Sequence, residues 1–78
     1  MFMGTPRAGV WEVKNWLSIY NSSQIQAEAN LASALGVPYY IIVRKHTHVP
    51  GSVFDTVSRT GGQIYRLTKG EFAEVATR

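Results

Sequence analysis

Cysteine is absent from the 78 residues, which excludes disulfides, thiolate chemistry and cysteine-based zinc sites. No uninterrupted apolar run approaches the ~18 residues that a membrane span requires, so no membrane partner is expected. Residues 1–9 carry no apolar stretch of signal-peptide length, and no secretory leader is expected in them. Acidic side chains are scarce, with five Asp and Glu against eight Lys and Arg. The resulting charge of +3 leans toward polyanions but selects no function on its own. Repeats, low-complexity tracts and charge runs are also missing, and with 45% apolar residues the chain falls in the globular range. Its length suits one domain, with a core worth only about 3–5 kcal/mol.

What is present is a series of short elements separated by Gly, Pro and Ser. Residues 1–9 contain Gly4, Pro6 and Gly9 and form an irregular lead-in. Residues 10–16 are β-branched and aromatic, and a strand there sends Trp11 and Val13 to one face, as core, and Glu12 and Lys14 to the other, as a site. Ser23 with Gln26 three residues on predicts an N-cap and a helix to Leu35, stopped by Gly36 and Pro38. Helical periodicity puts Ile25, Leu31, Ala32 and Leu35 on its apolar arc, and it also turns Gln24 and Glu28 inward. Inward polar groups need partners.

Residues 37–43 are nearly all apolar, as in a central strand covered on both faces. A basic loop, 44–50, leads to a short helix opened by Ser52 with Asp55, carrying Val53, Phe54 and Val57 and closed by Gly61 and Gly62. Residues 63–68 form a third strand, and the tail 69–78 fits either a helical turn or an edge strand. The order β-α-β-α-β predicts an α/β fold with a mixed, largely parallel sheet joined by right-handed crossovers.

Glu12 and Lys14 are the main chemical candidates, because residues two apart on a strand share a face at about 6.5–7 Å. A carboxylate beside an ammonium suits metal-assisted phosphodiester hydrolysis, and equally a solvated ion pair worth under about 1 kcal/mol. Arg44, Lys45 and Arg59 are candidates for backbone-phosphate contacts, since a loop leaving the C-terminal end of a parallel strand lies on the usual ligand side. His46 and His48 lack a third metal ligand and are read as exposed loop residues. Trp11, Trp16, Tyr39 and Tyr40 are of a type that stacks on bases, but in so small a core they are expected to fill volume, and no nucleic-acid role is assigned to them.

The run Glu12-Val13-Lys14-Asn15, the helix bearing Gln24 and ending at Gly36, then Tyr39 to Arg44 with Thr47, and Gly61-Gly62-Gln63-Ile64 together resemble the restriction-endonuclease-fold superfamily. More narrowly they are similar to the nuclease domains at the C-termini of bacterial polymorphic toxins of the Rhs and contact-dependent-inhibition type. The resemblance spans residues 10 to about 67. It implies a restriction-endonuclease-like domain over 10–78 and a Mg²⁺- or Mn²⁺-dependent nuclease acting on DNA in preference to RNA. It further implies an immunity protein as partner, and action in the cytoplasm of the producing or target bacterium after delivery within a larger secreted toxin. By it, Glu12 and the Val13 carbonyl are metal ligands, Lys14 is the catalytic lysine and Gln24 supports the site.

The family also places an Asp on the strand before Glu-x-Lys, and here nothing acidic precedes Glu12. Either the chain is the C-terminal part of a larger domain with impaired activity, or the second metal carboxylate has moved to Glu28. Alternatives are a non-catalytic fragment that binds nucleic acid or a protein, and a stand-alone phage or repair nuclease of the same superfamily. Without preceding strands, the 10–16 edge and the Trp11 and Val13 side are left bare, which predicts a homodimer or higher assembly through residues 1–16.

Overall fold

The most apolar segment of the sequence lies inside the sheet. In the computed structural model, which describes residues 9–68 and 73–76, strand β2 (Tyr39–Val43) is flanked by β1 (Val10–Lys14) and β3 (Ile64–Leu67). Both pairings are parallel, and β4 (Ala73–Val75) adds antiparallel to β3 as the far edge. Helices α1 (Ser23–Leu35) and α2 (Gly51–Ser58) are the two crossovers. The chain is therefore a small α/β domain with a four-stranded mixed sheet and two helices, as its element order predicts. The tail, open between two readings, supplies an edge strand. The lead-in at 1–8 lies outside the described residues. No helix among them is long and apolar enough to cross a membrane.

Local signals set the boundaries to within a residue or two. The N-cap of α1 is Ser22 rather than Ser23: its hydroxyl accepts from the Ile25 amide, while Gln26 Nε2 donates to the Asn21 carbonyl. Gly36 closes the helix in the left-handed conformation, φ 73°, where a side chain is strained. Helix α2 starts at Gly51 behind Pro50, with no side-chain cap, so Ser52 is already inside it. Gly62 serves a different need. A Cβ at that position would lie 1.8 Å from the Tyr39 carbonyl oxygen, so only glycine lets the chain entering β3 pass this close to β2.

Strands added in one direction through crossovers of one hand place every helix on the same face. Accordingly Ile25, Ala29 and Ala32 of α1 and Val53 and Val57 of α2 share one core with Tyr39, Ile41, Val43 and Ile64. Register then decides the fate of β1. Val10, Glu12 and Lys14 pair with Tyr39, Ile41 and Val43, so they too face the helices. The expected assignment is reversed: Trp11 and Val13 are 41% and 66% exposed, on the face that carries no helix, and Lys14 is only 8% exposed. β2 is likewise covered by helices on one side only. Its other side is shielded by neighbouring rings, with Trp11 stacked on Tyr40 at 4.3 Å between centroids and Tyr65 at 6.1 Å from both. Leu31 and Leu35, expected in the core, are exposed, because the small Ala29 and Ala32 bring α1 onto the sheet along a different stripe.

Candidate active site and basic cleft

Burying Lys14 beneath a helix requires a counter-charge, and Glu12 supplies it with a carboxylate oxygen 3.5 Å from Nζ. Glu28 reaches the same place from α1. One turn after Ile25 and one before Ala32, it lies on the buried side of the helix, as its periodicity predicts. Its carboxyl accepts from the Tyr39 hydroxyl at 2.7 Å, and its charge acts on the Glu12 carboxyl. Four side chains from β1, α1 and β2 thus converge: Glu12, Lys14, Glu28 and Tyr39.

The electrostatics follow from that convergence. Burial first, then the hydrogen bond and charge of Glu28, raise Glu12 above the usual carboxylate range, against the opposing pull of Lys14. Tyr39 is pushed well above an ordinary phenol, first by burial and then by Glu28 and Glu12, so it stays a neutral donor at any physiological pH. A cation beside Glu12 would offset the burial and the Glu28 charge that raise it.

Gln24 is on the same helix as Glu28, one turn earlier. It is exposed, not inward, and with Lys14, Ser22 and Tyr20 it lines a small cavity of about 160 Å³ at the N-terminal end of α1. Val13 faces its side chain to solvent. Because Val10 N–H donates toward β2, to Pro38, alternation turns the Val13 backbone carbonyl to the outer edge of β1, which pairs with no strand among the described residues. Glu12, Glu28 and that carbonyl are the candidate metal donors. Among the described residues no three His, Asp or Glu side chains converge. A pair of carboxylates is nonetheless a normal protein contribution for Mg²⁺, which fills its remaining positions with water and substrate oxygens.

A second cavity, about 600 Å³, opens at the C-terminal ends of the three parallel strands. Arg44, Lys45 and His46 line it together with Trp16, Leu17 and Leu67. Its walls are held from behind. Arg66, opposite Val43 in register, donates from Nη1 to the carbonyls of Arg44, Lys45 and Thr47 at 3.3, 3.1 and 2.7 Å. The buried Thr47 hydroxyl donates to the Trp16 carbonyl at 2.6 Å and accepts from the Arg44 amide at 3.2 Å. Asn15 Oδ1 accepts from the Arg44 guanidinium. The histidines are exposed, as expected. Arg59, grouped by sequence with Arg44 and Lys45, caps α2 at the opposite end of β2, where Thr60 bonds the Tyr39 amide.

Sequence reasoning gave Tyr39 and Trp16 only a volume-filling role and gave Arg66 none. Tyr39 is buried but spends its hydroxyl on Glu28, and Trp16 is 58% exposed. The available signal for Arg66 was an arginine in line with buried positions of the last parallel strand, a place that demands partners. Comparison with protein-family models, with curated proteins and with solved structures returned no match.

Proposed function

We propose that the chain is a metal-dependent nuclease domain, related in architecture to the restriction-endonuclease fold and to bacterial toxin nucleases, with the second carboxylate supplied by Glu28. One observation carries the reading: Glu28, from α1 and held by Tyr39, comes beside the Glu12 and Lys14 pair of β1. A purely structural ion pair needs only Glu12 and Lys14. A second carboxyl beside the first is costly unless a cation shares it.

Phosphodiester hydrolysis needs positive charge on the non-bridging oxygens and a nucleophilic water held in line with the leaving oxygen. Glu12 and Glu28 would hold Mg²⁺ or Mn²⁺, with the Val13 carbonyl as a third donor. When bound, such an ion polarises the phosphoryl group and lowers the pKa of water. Lys14, fixed by Glu12, offers ammonium protons to a phosphoryl oxygen or to the attacking water. Tyr39 holds the Glu28 carboxyl in place from below. DNA is the preferred substrate of this reading, and an immunity protein its natural antagonist.

Incubation of the whole chain with single- and double-stranded DNA and RNA in Mg²⁺ or Mn²⁺ tests it. Slow, metal-dependent cutting is expected, lost in Glu12→Gln and lowered by orders of magnitude in Lys14→Ala and Glu28→Gln. Cutting that survives Glu28→Gln removes Glu28 from the metal. No cutting under any condition, with no Mn²⁺ binding by calorimetry, leaves the cluster as a structural network and the chain as a non-catalytic binder.

A further inference from the structure

We infer that the basic cleft binds an unpaired nucleotide of a single strand, stacking its base on Trp16 and holding its phosphate with Arg44 and Lys45. This names the substrate form and rests on the nuclease reading for the polymer. Four observations carry it. First, the cleft is large enough for a nucleotide, at about 600 Å³, and among the described residues no acidic side chain lines it. Second, Trp16 is more than half exposed although its backbone is anchored by Thr47, so the ring is presented on a fixed support. Third, Lys14 Nζ lies 5.6 Å from the Trp16 ring centroid, and Trp16 lines both the cleft and the small cavity of Lys14. The ring therefore stands between the phosphate-binding side chains and the candidate reaction centre.

Fourth, the basic loop is preorganised. Arg66 gathers three of its carbonyls, so the oxygens that would repel a phosphate are turned away from the ligand. Asn15 orients the Arg44 guanidinium while leaving further N–H donors available. Lys45 and His46 are exposed and line the cleft beside it. A base inside a duplex has both faces stacked and cannot lie on an indole ring; an unpaired base can. Aromatic stacking with a cationic groove is the physics of single-strand binding, and this cleft holds both elements at the C-terminal strand ends where open α/β sheets bind ligands.

The test is equilibrium binding of a short fluorescent oligothymidylate and of a duplex of equal length to the intact chain in EDTA, with tryptophan emission read in parallel. Expected are tighter binding of the single strand, quenching of indole emission, and a steep loss of affinity with salt. Trp16→Ala should weaken single-strand binding about tenfold and Trp16→Phe much less, while Arg44→Ala should flatten the salt dependence. Circular dichroism melts should stay unchanged for the exposed Trp16 variants. Preference for duplex, or single-strand affinity indifferent to Trp16→Ala, overturns the inference. So does thymidine monophosphate or inorganic phosphate binding as tightly as the oligomer, which marks a small-anion pocket. Because no metal is present, these outcomes are separate from cleavage: binding without cutting sinks the nuclease reading alone, and cutting without single-strand preference sinks this one alone.

Discussion

Ile41 and Ile42 stand side by side on β2 and meet different solvents. Ile41 is wholly buried under both helices, while Ile42 looks out from a face covered only by its neighbours' side chains. The same split runs across the sheet. The helix side holds nearly all of the core and, at its β1 margin, the charged cluster of Glu12, Lys14 and Glu28. The open side holds Trp11, Tyr40 and Tyr65 in a layer of rings, with Val13 and Val75 exposed beside them. Apolar side chains cover the open face, and ionisable ones are packed beneath a helix. That inversion separates stability from candidate chemistry less cleanly than usual, because the candidate site groups sit in the layer that folds the protein.

The largest effect expected of this arrangement is at Ile41. Truncation to alanine removes a fully enclosed side chain and should cost about 2–5 kcal/mol, comparable with the whole stability of a domain this size. Denaturant titration should find Ile41→Ala largely unfolded at 25 °C, whereas Ile42→Ala keeps a cooperative transition and loses about 1–2 kcal/mol. Equal losses at the two positions would mean that the open face is covered in solution and the comparison fails.

Next in size is Tyr39→Phe, which leaves the Glu28 carboxyl without its donor in a half-buried setting and should cost about 1.5–3 kcal/mol. Tyr40→Phe, one residue on and on the other face, should stay within about 0.5 kcal/mol. If the two variants melt alike, the Tyr39 to Glu28 bond is not holding α1 to the sheet.

Much of this fold was legible in the sequence, and the reasons are local. The left-handed stop at Gly36, the serine cap one residue from its predicted place, the apolar β2 and the inward Glu28 are all set by spacing along one element. Which side of β1 would be covered was not legible. Period two gives two faces but not their fates, and those depend on the register with β2 and on the common side of both crossovers. Residues 10–14 look like a strand with an aromatic core side, because Trp and Val are what a core uses. The helices went to the other side since Tyr39, Ile41 and Val43 make the larger buried set. The pairing of Glu12 with Glu28 was visible only as an alternative, and the bracing of the basic loop by Arg66 joins residues about twenty apart that no motif connects.

A smaller effect tests the open side itself. β1 leaves its outer edge unpaired among the described residues, and the adjoining face exposes Trp11 and Val13. An open edge next to an apolar face favours pairing with a second copy. Sedimentation equilibrium at micromolar concentration should show a dimer, with a melting temperature that rises with concentration. Trp11→Ala should shift the equilibrium to monomer and cost about 1 kcal/mol from the lost stacking on Tyr40. A monomer with a concentration-independent melt would show that the ring layer suffices to cover the face.

The smallest effect distinguishes two forces acting on one carboxyl at the covered face. Burial and Glu28 oppose the charge on Glu12, and Lys14 favours it; the net result is a value above the ordinary one. A group raised on folding contributes its stability in full below the unfolded value, about 4.3, and loses it as pH rises through the folded value. Metal-free wild type should therefore lose stability relative to Glu12→Gln as pH climbs from about 4 toward neutrality, because the glutamine stays uncharged throughout. The variant is expected to be less stable overall, since Lys14 loses its counter-charge, so the readout is the difference in slope and not the offset. Thermal melts of both proteins in EDTA across that interval measure it. If wild type gains on the variant as pH rises, the Lys14 ion pair outweighs burial and Glu28 together, and the cluster is ionised in the absence of metal. If it loses, adding Mn²⁺ should abolish the decline, because a cation beside Glu12 removes the cost of charging it.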